Sequence, residues 1–219
     1  MKEVAEYIPL VAFLGKALGT HCEVVLHDVG NREHSIIAIA NGHVSGRKIG
    51  GPLTDFTLKV LQKGTLRKDL YSVNYGGRGH SGKTFRSSSY FIRNREGRII
   101  GILCLNYDVH TYFTARKILD RFILGDFSEE VSAREVTVPI QEHFHVDADS
   151  MMNSMIAKRL APYNVSPSRL SVKERLQITG QLKEDGLFLL KGGITALAVH
   201  LSVSIPTIYR YLNLSLIHI

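Results

Sequence analysis

The chain has 219 residues, 44% of them hydrophobic, which is material for one large or two small packed domains and excludes a disordered polymer. No apolar run approaches the roughly 20 residues that a membrane span needs, and two cysteines, Cys22 and Cys104, are too few for a disulfide framework or a cysteine metal cluster. Of the net charge of +7, most lies beyond Met151, where eight Lys and Arg stand against Glu174, Glu184 and Asp185, an excess that phosphate backbones attract.

Residues 3–18 carry apolar side chains at helical spacing (Val4, Tyr7, Ile8, Val11, Leu14, Leu18), with Gly19 as the stop and Pro9 as the point where the helix starts late or bends. Glu3 and Glu6 interrupt what would otherwise pass for a signal peptide, and no small-residue cleavage site follows. Cys22–Asp28 and Ser35–Ala40 read as strands, closed by Gly30-Asn31 and Asn41-Gly42 turns. Cys22 and Cys104 fall in such apolar runs and read as buried thiols in a reducing cytoplasm. A glycine-rich segment from Gly42 to Pro52 leads to a short helix over Leu53–Leu61. Leu70–Tyr75 reads as a strand and Gly76–Gly82, with Arg78 and His80, as a loop. Thr84–Arg93 and Arg98–Asp108 flank a hairpin connection ending in Gly97, and Thr111–Leu124 has helical periodicity. Gly125–Pro139 is charged and aperiodic, and a helix within Gln141–Leu160 is capped by Asp147, Asp149 or Ser150.

The C-terminal part has the spacing of a helix-turn-helix. Ser171 with Glu174 makes a capping box for a helix running to about Lys183, which Asp185-Gly186 ends. Two short helices then surround the turn Ser202-Val203-Ser204: Ala198 lets them approach, Val203 plugs the turn, Ser204 caps the second helix, and Pro206 sits in its first turn. Ser202 stands where such turns need a positive φ, at about 1 kcal/mol for a serine. Ile208 and Leu212 face inward, leaving Thr207, Tyr209, Arg210 and Asn213 outward. The expected DNA contacts are Ser204 at the helix start, Ile205 against a thymine methyl, Thr207 and Tyr209 on phosphate, and Arg210 on phosphate or a guanine edge. The tail from Asn213 to Ile219 is apolar, unlike a solvated terminus.

This order defines an α+β chain: an antiparallel sheet domain with flanking helices over 1–125, a linker with a helix over 126–168, and a small all-α helix-turn-helix domain over 169–219. The 41–52 segment is the candidate ligand-binding loop. Its glycines admit close backbone approach, and Asn41, His43, Ser45 and Arg47 offer donors and acceptors, with His27 on the neighbouring strand. No nucleophile elbow, phosphate loop or zinc helix occurs, His143-x-His145 would need further ligands to hold a metal, and no motif asks for a cofactor.

Cys22-Glu23-Val24-Val25-Leu26-His27-Asp28 and the stretch from Ala40-Asn41-Gly42-His43 to Leu53-Thr54-Asp55 are followed by Glu174-Arg175-Leu176, Gly186-Leu187-Phe188-Leu189 and Tyr209-Arg210-Tyr211-Leu212. These two motif sets, in this order, resemble the YheO-like regulators, including the D-arginine utilization regulator type, over nearly the whole chain outside about 130–165. The resemblance implies a bacterial cytoplasmic transcription factor, not an enzyme, with a PAS-like sensor first and a DNA-binding domain last. The expected partners are a double-stranded DNA operator, a small-molecule effector and a second copy of the chain, with Thr111–Leu124 or 141–160 as the dimer seam. The competing expectation is a non-catalytic PAS-like interaction module whose helical C-terminus only packs.

Overall fold

Pro9 carries no amide hydrogen, and the chain meets this by dividing its first helix. α1 covers Lys2–Ala5 and α2 Ile8–Ala17, with Pro9 in the first turn of α2, where an amide has no intrahelical partner. The computed structural model describes residues 2–63, 69–79, 82–125, 140–163 and 165–214. His80 of the expected glycine loop, residues 126–139 of the expected linker and the tail from Ser215 lie outside the described residues.

Among the described residues six strands form one sheet: β1 (Cys22–Asp28), β2 (Ile36–Ala40), β3 (Tyr71–Arg78), β4 (Thr84–Arg93), β5 (Ile99–Asp108) and β6 (Ile140–His143). Their order is β2-β1-β5-β4-β3-β6, antiparallel throughout except for the parallel pair β3–β6. The β4–β5 hairpin is closed by Asn94, whose side-chain oxygen accepts from the amides of Glu96 (3.1 Å) and Arg98 (2.9 Å), a local turn device that fixes the register of the two longest strands. The helices are α3 (Asp55–Lys63), α4 (His110–Leu124), α5 (Ala148–Leu160), α6 (Val172–Glu184), α7 (Gly193–His200) and α8 (Ile205–Leu214). Asp147 caps α5 by accepting from the Ser150 amide at 2.7 Å.

Two segments depart from the sequence reading. Gly76-Gly77-Arg78 is strand, paired to β4 on one side and β6 on the other. Two glycines carry no side chain and so leave no alternation to detect. Within the stretch read as linker, Ile140–His143 adds β6 to the sheet edge, too short for a period-two signal.

Strand β1 is buried along its whole length, because both faces of the sheet are covered. Cys22, Val24, Leu26 and Leu103 pack under Val4 and Val11 of α1 and α2. On the opposite face Val25, Ile36, Phe91, Ile102, Leu53 and Leu58 belong to one buried cluster that continues through α5, α6, α7 and α8. The sheet and the C-terminal helices therefore share a core. Polar contacts reinforce this: Arg159 donates to Asp185 (2.6 Å), Lys59 pairs with Asp185 at 3.6 Å, and the Lys191 amide donates to Glu33 (2.6 Å). Gly186 makes the closest approach. Its φ is +87°, and a Cβ there would sit 2.8 Å from the carbonyl oxygen of Leu58 in α3, so only glycine fits on both counts.

Candidate nucleic-acid interface and the polar interior of the sheet

Helix α6 begins with the expected capping box. The Ser171 amide donates to Glu174 Oε2 (2.7 Å) and the Glu174 amide to Ser171 Oγ (3.3 Å), and the serine holds the Glu174 carboxyl below its ordinary pKa. Between α7 and α8 the Ser202 amide donates to Val199 O (3.1 Å) and the Val203 amide to Ala198 O (3.0 Å), the two bonds of a Schellman turn, with Ser202 at φ +52°. Ile208 and Tyr211 of α8 are buried and Leu212 is half-buried. Sequence reading found Ile208 and Leu212 but missed Tyr211, although its spacing of three from Ile208 places it on the same face.

The five expected DNA contacts lie on or beside the other face. Ser204, Ile205, Tyr209 and Arg210 are exposed. Thr207 is half-buried, and its hydroxyl is 2.9 Å from Ser204 Oγ, so these two form a linked pair at the helix start. The Arg210 guanidinium lies 5.9 Å from the Tyr211 ring centroid. Among the C-terminal basic residues, Arg159 is held by Asp185 and Arg175 by the carbonyls of Pro167 (3.3 Å) and Ser168 (2.9 Å), whereas Lys158, Arg169, Lys173 and Lys191 are exposed like Arg210.

The expected ligand residues divide. The Asn41 side-chain amide donates to the carbonyls of Gly15 (3.1 Å), Gly19 (3.0 Å) and Cys22 (2.8 Å), tying the end of α2 to β1. His43 is exposed. His27 is fully buried with Nδ1 2.8 Å from Ser35, and burial depresses its pKa to about 3, so the ring is neutral. Ser45 and Arg47 alone meet, on Glu23 of β1: Ser45 Oγ donates to Oε1, and Arg47 donates to Oε2 at 2.5 Å while stacking 4.2 Å from the Phe144 ring centroid. Burial works against the Arg47 charge, but Glu23 outweighs it and raises the pKa above its ordinary value. A surface cleft of about 320 Å³ near α1, lined by Glu3, Asp28 and Ile99 among others, contains none of these five residues.

The register reveals a polar row that the sequence reading missed. Glu23 opposes Asn106, Asn106 opposes Ser87, and Ser87 opposes Tyr75, so four adjacent strands turn polar side chains to the same face. Strand β6 extends the row by setting Glu142 opposite Gly77. Glu142 is buried and accepts from Thr54 Oγ1 at 2.6 Å. Burial pushes its pKa up to about 7, against the downward pull of Thr54 and Arg47. The Tyr75 hydroxyl lies 2.8 Å from Ser89 Oγ, itself 3.2 Å from Cys104 Sγ, a thiol that burial pushes up to about 12. Asp55 holds His143 at 2.8 Å, and although burial raises its pKa, those hydrogen bonds bring it below the ordinary value. The available signal was polar residues at core-facing positions of apolar strands, Ser87 and Ser89 in β4 and Asn106 in β5. Among the described residues no three His, Cys, Asp or Glu side chains gather as a metal site.

Residues 1–124 match the YheO-like PAS domain and residues 151–213 a helix-turn-helix domain. The chain is 34% identical over 207 residues to the uncharacterized protein YheO of Escherichia coli K12, covering 94% of this chain and 82% of that one. An uncharacterized protein of Haemophilus influenzae is 30% identical over 210 residues, 96% of this chain and 90% of its own. The transcriptional regulator DauR of Pseudomonas aeruginosa is 24% identical over 194 residues, covering 88% and 85%. A solved structure of an RNA-binding light-oxygen-voltage receptor aligns over 60% of this chain and 40% of that one, at 11% identity and a TM-score of 0.31.

Proposed function

Because the chain belongs to the YheO-like family, a PAS domain followed by a helix-turn-helix domain, we propose that it is a sequence-specific DNA-binding transcriptional regulator of the bacterial cytoplasm. The observation that carries this reading is the exposed face of α8, where Ile205, Tyr209 and Arg210 project from a helix seated on Ile208 and Tyr211. A major groove admits one such helix, its N-terminal residues reach base edges, and exposed cations beside it take phosphates. In this division of the chain the sheet, formed by residues 1–125 with β6 added from the connecting segment 126–168, senses, and residues from 169 onward read DNA. No described helix is long and apolar enough to cross a membrane.

The regulator binds a two-fold operator as a homodimer through α4. Ile118, Leu119, Phe122 and Ile123 of this helix are exposed, Phe122 at 89%, an apolar stripe that one copy leaves uncovered. The other expected seam, 141–160, is committed elsewhere, since Met151, Met152, Met155 and Ile156 of α5 are buried within the chain. The sensor domain responds to a small molecule at its polar inner face.

The test is a mobility-shift titration across salt on an operator selected from random duplexes. Arg210→Ala and Tyr209→Ala each weaken binding, and Arg210→Ala lowers the salt slope by about one. Unchanged affinity and slope in both variants would remove the central claim and leave the interaction-module reading.

A further inference from the structure

Three side-chain oxygens in the polar row of the inner face are buried without a hydrogen-bond partner: Asn106 Oδ1, Ser87 Oγ and Glu142 Oε2. The residues that bear them are 0%, 0% and 1% exposed. Native interiors rarely leave such atoms unanswered, because each has lost its water without gaining a partner. Asn106 and Ser87 are register partners on adjacent strands; Glu142 is the register partner of Gly77 on β3, which lies between β4 and β6, and the position a Cβ on Gly77 would take is 2.9 Å from Ser87 Oγ and 3.1 Å from the Phe144 ring.

Each unanswered group can accept a hydrogen bond, and Ser87 Oγ, a hydroxyl, can donate one as well. The Asn106 amide nitrogen is already spent on Glu23 (3.0 Å), leaving only its carbonyl, an acceptor. Glu142 has one oxygen engaged by Thr54 and one without a hydrogen-bond partner, the Tyr75 hydroxyl beside the carboxyl lying 2.8 Å from Ser89 Oγ instead. Groups that would attract an anion are taken. Arg47 is paired to Glu23 and stacked on Phe144. The first amides around α3 are capped internally, Thr54 N by Thr57 Oγ1 (2.9 Å) and Phe56 N by Asp55 Oδ1 (2.8 Å). An aromatic wall stands beside the row, Phe56 and Tyr75 with ring centroids 4.5 Å apart, a surface suited to a cation.

We propose that this row is the ligand site of the sensor domain, and that it takes a small primary amine, bound as the ammonium between Glu142 Oε2 and Ser87 Oγ, with a second N–H or O–H of the ligand donating to Asn106 Oδ1. An ammonium supplies three donors, and the Asn106 carbonyl, the second Glu142 oxygen and the Ser87 hydroxyl can each accept from it or from a donor beside it. Adjacent strands are about 5 Å apart, so the second donor sits two or three bonds from the nitrogen. The inference rests on the sensor reading above and names its ligand class.

The carboxylate form of Glu142 is the binding form. The groups that face it are Arg47 from the 41–52 loop, Thr54 and Asp55 from the start of α3, Tyr75 from β3 and the Cys104 thiol from β5. With its pKa near 7, amine binding strengthens from pH 6 to pH 8 and expels a proton at the lower pH.

The test uses the full chain and three probes at equal ionic strength: ethanolamine hydrochloride, tetramethylammonium chloride (a cation without donors) and sodium glycolate (an anion of similar size). Binding is read by thermal shift and by isothermal calorimetry in buffers of different ionisation heat. Ethanolamine raises Tm, more at pH 8 than at pH 6, and the other two do not. Glu142→Gln weakens ethanolamine at least tenfold, as expected on losing a charged hydrogen-bond partner, and abolishes the pH dependence; Ser87→Ala weakens it several-fold. Circular dichroism verifies that both variants fold, and Ser87→Ala removes only one oxygen. The proposal is overturned if ethanolamine gives no shift at pH 8, if tetramethylammonium matches it, if glycolate stabilises instead, or if both variants bind as wild type. Operator binding without any probe is measured beside these, so failure of the DNA-binding reading and failure of the amine site are separate results.

Discussion

Replacing Glu142 with glutamine changes stability in a way that depends on pH, and the sign follows from its surroundings. Burial lifts the carboxyl from an ordinary 4.5 to about 7, against the pull of Thr54, Arg47 and Tyr75. The folded chain therefore keeps a proton that the unfolded chain has already released. This group's contribution to stability is fully present below pH 4.5, declines between 4.5 and 7, and is gone above 7, where the buried carboxylate must be carried ionised. A displacement of two to three pKa units is worth about 3 kcal/mol at 1.36 kcal/mol per unit. The glutamine side chain of the Glu142→Gln variant is neutral throughout and still offers an oxygen to Thr54. Urea denaturation of both proteins gives the difference directly. The variant is close to wild type at pH 5 and more stable by about 3 kcal/mol at pH 8, seen as a higher midpoint at unchanged m. Other titrations cancel in the difference. His27, held neutral with its pKa near 3, acts in the opposite direction, its stabilisation being lost as pH falls below 6.5. If the advantage of the variant is the same at both pH values, or is larger at pH 5, the account of Glu142 as a buried, proton-retaining carboxyl is wrong.

Ser202→Gly relieves a left-handed serine at φ +52° and raises stability by about 1 kcal/mol, roughly 2–4 °C in Tm by calorimetry. Gly186→Ala places a methyl 2.8 Å from Leu58 O at a φ of +87°, and lowers stability by about 2 kcal/mol or more in chemical denaturation. Phe122→Glu charges the exposed stripe of α4. Light scattering behind size exclusion is expected to report a monomer, with operator affinity falling steeply; a dimer that persists places the seam elsewhere.

What the sequence discloses here is local. The capping box at Ser171, the Asn94–Gly97 hairpin and the positive φ of Ser202 are each written in a few adjacent residues, and each is found where expected. The β-rich runs of β1, β4 and β5 place the centre of the sheet. What the sequence hides is long-range. Glu23 looks like an ordinary polar residue in a strand until Arg47, 24 residues on, arrives to neutralise it. Glu142 gains its role only because a four-residue strand pairs in parallel with β3. Asn41 and Arg47 sit in one glycine-rich stretch, yet the first staples backbone and the second is buried in an ion pair, a distinction that composition does not carry.

Gly186 bears on how such proteins can be recombined. It lets the turn after α6 rest on the backbone of α3, about one helical turn from Thr54, which holds Glu142. The helix-turn-helix domain is thus seated on the PAS domain rather than strung behind it. A chimera joining residues 151–213 to an unrelated sensor would lose the surface that receives Gly186, Leu187 and Asp185. Transplants within this architecture should carry α3 and the 185–190 turn together, as one part.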